Sequence, residues 1–190
     1  MQSFVEIRWH GRGGQGAVTA AKIFAETALA EGKFIQAFPE YGPERMGAPV
    51  KAFDRISNIP MTLHSQVYNP SVVVVIDPTL VGSENVTEGL TDDGMIVVNS
   101  PKQASEIKKE LGLTNQKVFS VDATKISLET LGKFLPNTPM LGALVKATGL
   151  VSIEKTLEEL KKKFVGKLKE EVIQKNLDAV KRAFEEVHGE

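Results

Sequence analysis

His10-Gly11-Arg12-Gly13-Gly14-Gln15-Gly16-Ala17 is the stretch on which the fold of this 190-residue chain turns. It follows Phe4-Val5-Glu6-Ile7-Arg8-Trp9, whose two-residue apolar period is that of a strand. It leads into residues 18–31, rich in Ala and other good helix formers. The order is therefore strand, glycine turn, helix start. Backbone N–H groups in such a turn have no helical partner and the helix dipole adds partial positive charge, so an anionic group fits there. Arg12 adds a full charge and a fork of donors. Gly11, Arg12, Gly13, Gly14, Gln15 and Gly16 are the candidate cofactor-binding residues.

Gly11-x-Gly13-x-x-Gly16 also satisfies the dinucleotide fingerprint, with the flanking strand and helix that it requires. A dinucleotide site, however, wants an acid at the end of the second strand, about 20 residues on, to hold the ribose. The second predicted strand, residues 34–38, carries Gln36 and Ala37 near that place, and the first acid, Glu40, follows Pro39. No Lys-Ser or Lys-Thr follows Gly16, which excludes a P-loop. The same glycines also suit a turn that only allows a helix to pack close to its strand.

The composition, 42% hydrophobic and 25% charged with a net charge of −1, is that of an ordinary globular protein. It gives no reason to expect nucleic acid or a membrane surface as partner. The longest apolar run, residues 72–76, is too short to span a bilayer, and Glu6 and Arg8 stand where a signal peptide needs an apolar block. A cytoplasmic location is the default expectation. The chain has no cysteine, which excludes disulfides, thiolate zinc and a cysteine-ligated iron–sulfur cluster within it.

Onward from the second strand, residues 39–49 hold three prolines and two glycines and read as a surface loop. Its Glu40, Tyr41, Gly42, Pro43, Glu44 and Arg45 are candidate interface or substrate-loop residues, since loops of this kind often carry function. Residues 50–57 alternate with mixed character, Val50, Ala52 and Asp54 against Lys51, Phe53 and Arg55, which predicts a half-exposed or edge strand. Val72-Val73-Val74-Val75-Ile76 is the clearest strand and predicts burial on both faces. Further strands at 95–98 and 118–121 alternate with helical segments at 81–90 and 102–111. The expected fold is α/β: a three-layer, largely parallel sheet with helices on both faces and C-terminal helices.

Asp77, Asn99 and Asp122 fall at strand C-terminal ends, where open α/β sheets bind ligands, although each is equally suited to a turn or helix cap. A short helix is expected at 124–134, a break at 136–139, a buried helix at 140–148, and amphipathic helices opening at Ser152 and near Glu170. The chain reads as one domain over residues 1–190, with an α/β core to about residue 150 and a helical part beyond.

No complete catalytic set is visible. His10, His64 and His188 lack metal-ligand spacing, and no His-Glu-x-x-His or Gly-x-Ser-x-Gly motif occurs. His10 is expected to close the turn through a ring hydrogen bond. Such a chain is a binder or one part of a larger catalyst.

Three stretches together closely resemble the gamma subunit of 2-oxoacid:ferredoxin oxidoreductases. They are Gly11-Arg12-Gly13-Gly14-Gln15-Gly16, Pro39-Glu40-Tyr41-Gly42-Pro43-Glu44, and Asn137-Thr138-Pro139-Met140-Leu141-Gly142. Where that family shows an Arg followed by two glycines, this chain has Arg45-Met46-Gly47-Ala48. The resemblance implies a holoenzyme that oxidatively decarboxylates a 2-oxoacid, pyruvate being the commonest, on thiamine diphosphate with Mg. Electrons pass through iron–sulfur clusters to ferredoxin, and an acyl-CoA forms. It implies alpha, beta and delta subunits as partners, with the thiamine site and the clusters in those chains and no cofactor on this one alone. For this chain it leaves a structural role and help in closing over coenzyme A. Two other readings stay open: an independent NAD- or FAD-binding protein, and a purely architectural subunit.

Overall fold

Four consecutive valines form β4 (Val72–Val75), and all four are buried, as a strand covered on both faces requires. The computed structural model describes residues 4–40, 46–63 and 65–190. Within them, β1 (Phe4–Arg12), β5 (Met95–Asn99) and β6 (Lys117–Val121) share the direction of β4. β2 (Phe34–Glu40) and β3 (Pro49–Ser57) form an antiparallel hairpin, and β7 (His188–Gly189) is antiparallel to β6. The strand order is β2-β3-β1-β4-β5-β6-β7.

The two-residue period of β4 divides the core. Val72 and Val74 join an apolar cluster with α1 (Ala17–Ala30), α4 (Ala123–Leu131), α5 (Asn137–Thr148), α6 (Ile153–Phe164) and α7 (Glu170–Glu186). Val73 and Val75 join Ile96, Val98 and Val118 on the other face. There they meet Leu80 of α2 (Leu80–Ser83) and Ala104 and Ile107 of α3 (Ala104–Glu110). The expected three-layer α/β sheet with helices on both faces is thus observed.

Helix starts follow local chemistry. Ser152 caps α6 by accepting the Lys155 N–H, and its own hydroxyl donates to Glu31 at 2.6 Å. Asp122 caps α4 by accepting the Lys125 N–H. The break expected at residues 136–139 is instead the first turn of α5, which begins at Asn137. Pro139 is tolerated there because first-turn N–H groups have no helical acceptor. β7 was not expected: its two residues carry no apolar pattern.

β3 departs most from expectation. It lies between β2 and β1, paired on both sides, not at an edge or half exposed. Two of its charged residues, Asp54 and Arg55, are buried with partners from β1. Arg55 Nε meets Glu6 Oε1 at 2.7 Å, and Trp9 Nε1 donates to Asp54 Oδ2 at 2.8 Å. Asp54 is completely buried and its Oδ1 has no partner among the described residues. Burial pushes the Asp54 carboxyl well above its usual range, and the Trp9 hydrogen bond only partly offsets this.

A carboxyl whose folded pKa is raised is stabilising below its unfolded pKa and loses that advantage as pH climbs from about 4 toward the folded value. Asp54→Asn keeps an acceptor for Trp9 without a titrating proton. Its Tm at pH 8 is expected to exceed that of the parent by at least about 3 °C, the shift that roughly 1 kcal/mol produces at this size. The difference should shrink by pH 5. Calorimetry at the two pH values checks this, and a pH-independent difference would contradict a raised Asp54 pKa.

Candidate functional site at the carboxyl edge of the sheet

Because β1, β4, β5 and β6 are parallel, their C-terminal ends share one edge of the sheet, where open α/β sheets bind ligands. Sequence-distant segments meet there. The glycine turn closes on the residues entering β3: Gly13 N–H donates to Ala48 O at 2.8 Å and Gly47 N–H to Gly13 O at 3.0 Å. Gly16, in the left-handed region at φ +78°, caps α1 with no side-chain cap. The first residue of α5 lies against it, and a Cβ on Gly16 would come within 3.0 Å of Asn137 Cγ. Asn137 Oδ1 is buried without a partner among the described residues. Of the three stretches that carried the resemblance, the turn and the Asn137 stretch are brought together. Tyr41, Gly42, Pro43, Glu44 and Arg45 lie outside the described residues, as does His64.

Within the turn, Gln15 N–H donates to Arg12 O at 3.0 Å, and Gln15 Oε1 accepts the Arg12 N–H at 2.8 Å. With the Gly13 and Gln15 amides used internally, those of Gly14, Gly16 and Ala17 have no protein acceptor among the described residues. Together with the uncapped α1 start they leave backbone donors of the kind an oxyanion accepts.

Arg12 is clasped by the loop that follows β4 and by the residues entering β3. Its Nη2 donates to Thr79 Oγ1 at 2.8 Å and its Nη1 to Gly47 O at 3.2 Å, and its Nε lies 3.5 Å from Asp77 Oδ2. Asp77 also accepts the Gln15 side-chain amide and the Thr79 N–H. Burial alone would raise the Asp77 pKa, but hydrogen bonds from Thr79 and Gln15, with Arg12 beside them, hold the carboxyl below its ordinary value. The sequence places Asp77 at this edge, with a turn role weighed beside it, whereas Thr79 was missed. The signal available was Asp77-Pro78-Thr79, whose turn chemistry accounts for only half of what Asp77 does. The Arg12 side chain retains 29% exposure, so it can still reach a ligand.

His10 does not close the turn. Its Nε2 accepts from Arg8 Nε at 2.9 Å, two residues back on the same face of β1. Burial, then the charges of Arg8 and Lys51, lower its pKa to about 3, so it is neutral at physiological pH. Asn99 bonds to Ile76 O and Thr124 Oγ1, and Asp122 is the α4 cap; both serve the loops of this edge. Glu40 is the last residue of β2. In a dinucleotide fold the second strand lies beside the first, whereas β3 here separates β2 from β1. That removes Glu40 from the ribose position beside the turn. Among the described residues, no group of three His, Asp or Glu could hold a metal ion, and no helix is long and apolar enough to cross a membrane.

A family model described as pyruvate ferredoxin/flavodoxin oxidoreductase matches residues 6–186. The pyruvate/ketoisovalerate oxidoreductases common subunit gamma of Pyrococcus furiosus is 51% identical over 181 residues, covering 95% of this chain and 96% of that protein. The pyruvate synthase subunit PorC of Thermotoga maritima is 49% identical over 186 residues, covering 98% and 96%. A crystal structure of the pyruvate oxidoreductase subunit PORC from Thermotoga maritima superposes with a TM-score of 0.87 at 47% identity, covering 99% of each chain.

Proposed function

Since the chain belongs to the pyruvate ferredoxin/flavodoxin oxidoreductase family, we propose that it serves as the gamma subunit of a multi-subunit pyruvate:ferredoxin oxidoreductase. The holoenzyme converts pyruvate and coenzyme A to acetyl-CoA and CO2, and the two electrons released reduce ferredoxin. Alpha, beta and delta subunits supply thiamine diphosphate, Mg and the iron–sulfur clusters. The near-full-length identity to gamma and PorC subunits supports this reading.

Within that assembly, the proposed task of this chain is to hold coenzyme A, the thiol that accepts the acyl group. The observation that carries it is the set of unsatisfied amides at Gly14, Gly16 and Ala17 at an uncapped helix start. A pyrophosphate supplies the matching acceptors and needs no ribose acid. Gly14 and Gly16, both in the left-handed region, let the backbone turn, Gly11 lets α1 pack close to β1, Gln15 ties the turn to Asp77, and Arg12 offers a charge at the rim. The loop bearing Glu40, Tyr41, Gly42, Pro43, Glu44 and Arg45 is proposed to face the substrate or the thiamine-bearing subunits. A cytoplasmic setting fits these partners.

The test is Arg12→Glu in the assembled enzyme. Intact assembly with a KM for coenzyme A raised at least about tenfold, a loss near 1.4 kcal/mol, is the expected result. Lost assembly with unchanged affinity would make the turn an architectural contact. In the full chain, thermal stabilisation by NADH and none by coenzyme A would reverse the ligand assignment.

A further inference from the structure

On the sheet face that carries Glu6, Arg8 and His10, a cavity of about 230 Å³ opens between strands and loops. Its floor comes from two rungs of β2, β3 and β1 that share this face: Phe38, Phe53 and Arg8 on one, Glu40 and Lys51 on the other. Val67 and Tyr68 help form the opposite wall. Arg8 is only 4% exposed. Its Nε donates to His10, and its Nη2 donates to Val86 O at 3.0 Å and Glu88 O at 2.6 Å. All three acceptors are neutral. Nη1 has no partner among the described residues, and no carboxylate there makes an ion pair with this guanidinium. The side-chain ammonium of half-buried Lys51 likewise has no hydrogen bond or ion pair among the described residues.

Glu88 and Glu40 attract this guanidinium from the rim without pairing with it directly. A buried cation with no directly bonded counter-ion is costly, and an arginine held by three neutral acceptors is fixed in place to receive one. Exposed Glu40 and Glu88 stand at the rim, and they repel a dianion more than a monoanion. A planar carboxylate matches the guanidinium edge, and Phe38, Phe53 and Val67 give apolar walls for a short tail. We propose that this cavity binds the carboxylate of a small monocarboxylic acid through Arg8 and Lys51. It shares no residue with the glycine turn and stands whether or not that turn binds coenzyme A.

The experiment is a titration of the full chain with sodium isobutyrate and sodium benzoate against sodium chloride at equal ionic strength, followed by NMR of the arginine and lysine side-chain groups. Saturable shifts of Arg8 and Lys51 with the carboxylates and not with chloride are expected. Affinity should fall at least about tenfold in Lys51→Gln. Arg8→Lys, which keeps the charge and loses the fork, should also weaken binding, with Tm reporting whether it folds. Repeating the titration in the assembled enzyme separates two sources of the carboxylate. Retained binding assigns a free acid, and binding lost on assembly assigns an acidic group of a neighbouring subunit. Shifts equal to those with chloride, or Lys51→Gln binding as tightly as the parent, would overturn the proposal.

Discussion

Glu6→Ala is expected to cost the fold about 3–5 kcal/mol, the loss that follows when one member of a buried ion pair is removed. Arg55 is 1% exposed and Glu6 7%, so neither charge can turn to water. With Glu6 gone, Arg55 keeps Gln66 O at 2.9 Å, weak contacts to Gln36 and Ser65, and the face of the Phe38 ring 5.6 Å away. None of these is a carboxylate. For a chain of this size the corresponding fall in Tm is on the order of 10 °C. Replacing both residues, Glu6→Leu with Arg55→Met, should recover more than half of the loss, because two apolar side chains leave no buried charge uncompensated. Denaturant unfolding of the single and double variants measures the coupling. A double variant no more stable than Glu6→Ala would mean that Arg55 is held by its other partners and not by this pair.

The same pair marks the limit of what the sequence discloses. Local pattern sufficed where burial follows from residue type: the valine run of β4, the amphipathic α6 and α7, the small-residue α5. β3 was misread because Asp54 and Arg55 look like solvent-facing residues, and their partners Trp9 and Glu6 stand 45 and 49 positions away. Pairing across the sheet makes their burial tolerable, and pairing is a tertiary property. At the candidate site the glycine turn was legible because left-handed backbone and uncapped amides have a sequence signature. The clasp by Asp77 and Thr79 was not, since an Asp before Pro is already accounted for as a turn residue. Likewise, the approach of Asn137 to Gly16 depends on where α5 is carried by its packing on α7, which no spacing in the chain encodes.

That packing is also where a single methyl group should do the most damage. Gly142 lies in the middle of α5 with its α-carbon against the backbone of α7. A Cβ there would fall on the Val180 carbonyl oxygen, 2.9 Å from its carbon and 3.1 Å from Phe184 N. In an exposed helix, Gly→Ala gains about 1 kcal/mol from propensity, so the sign here depends on which term wins. The obstructing atoms are backbone, not the end of a side chain that can swing aside, and both helices are pinned by buried neighbours. Met140, Leu141, Leu144, Ile173, Val180 and Ala183 are all within 2% of full burial, and Thr138 Oγ1 donates to Asn176 Oδ1 at 3.3 Å. Relief therefore requires α5 and α7 to separate and to loosen that whole layer. Gly142→Ala is expected to destabilise by about 3 kcal/mol, the upper part of the range for overpacked cores, lowering Tm by roughly 6–12 °C. Gly82→Ala is the matched control, since nothing lies within 4 Å of a Cβ there and the exchange should be neutral or slightly stabilising. Thermal unfolding of the two variants side by side decides the matter: equal Tm values would mean that α5 and α7 do not meet backbone to backbone. Because α5 delivers Asn137 to the glycine turn, Gly142→Ala should also weaken the coenzyme A binding proposed for the turn, well away from any contact with it.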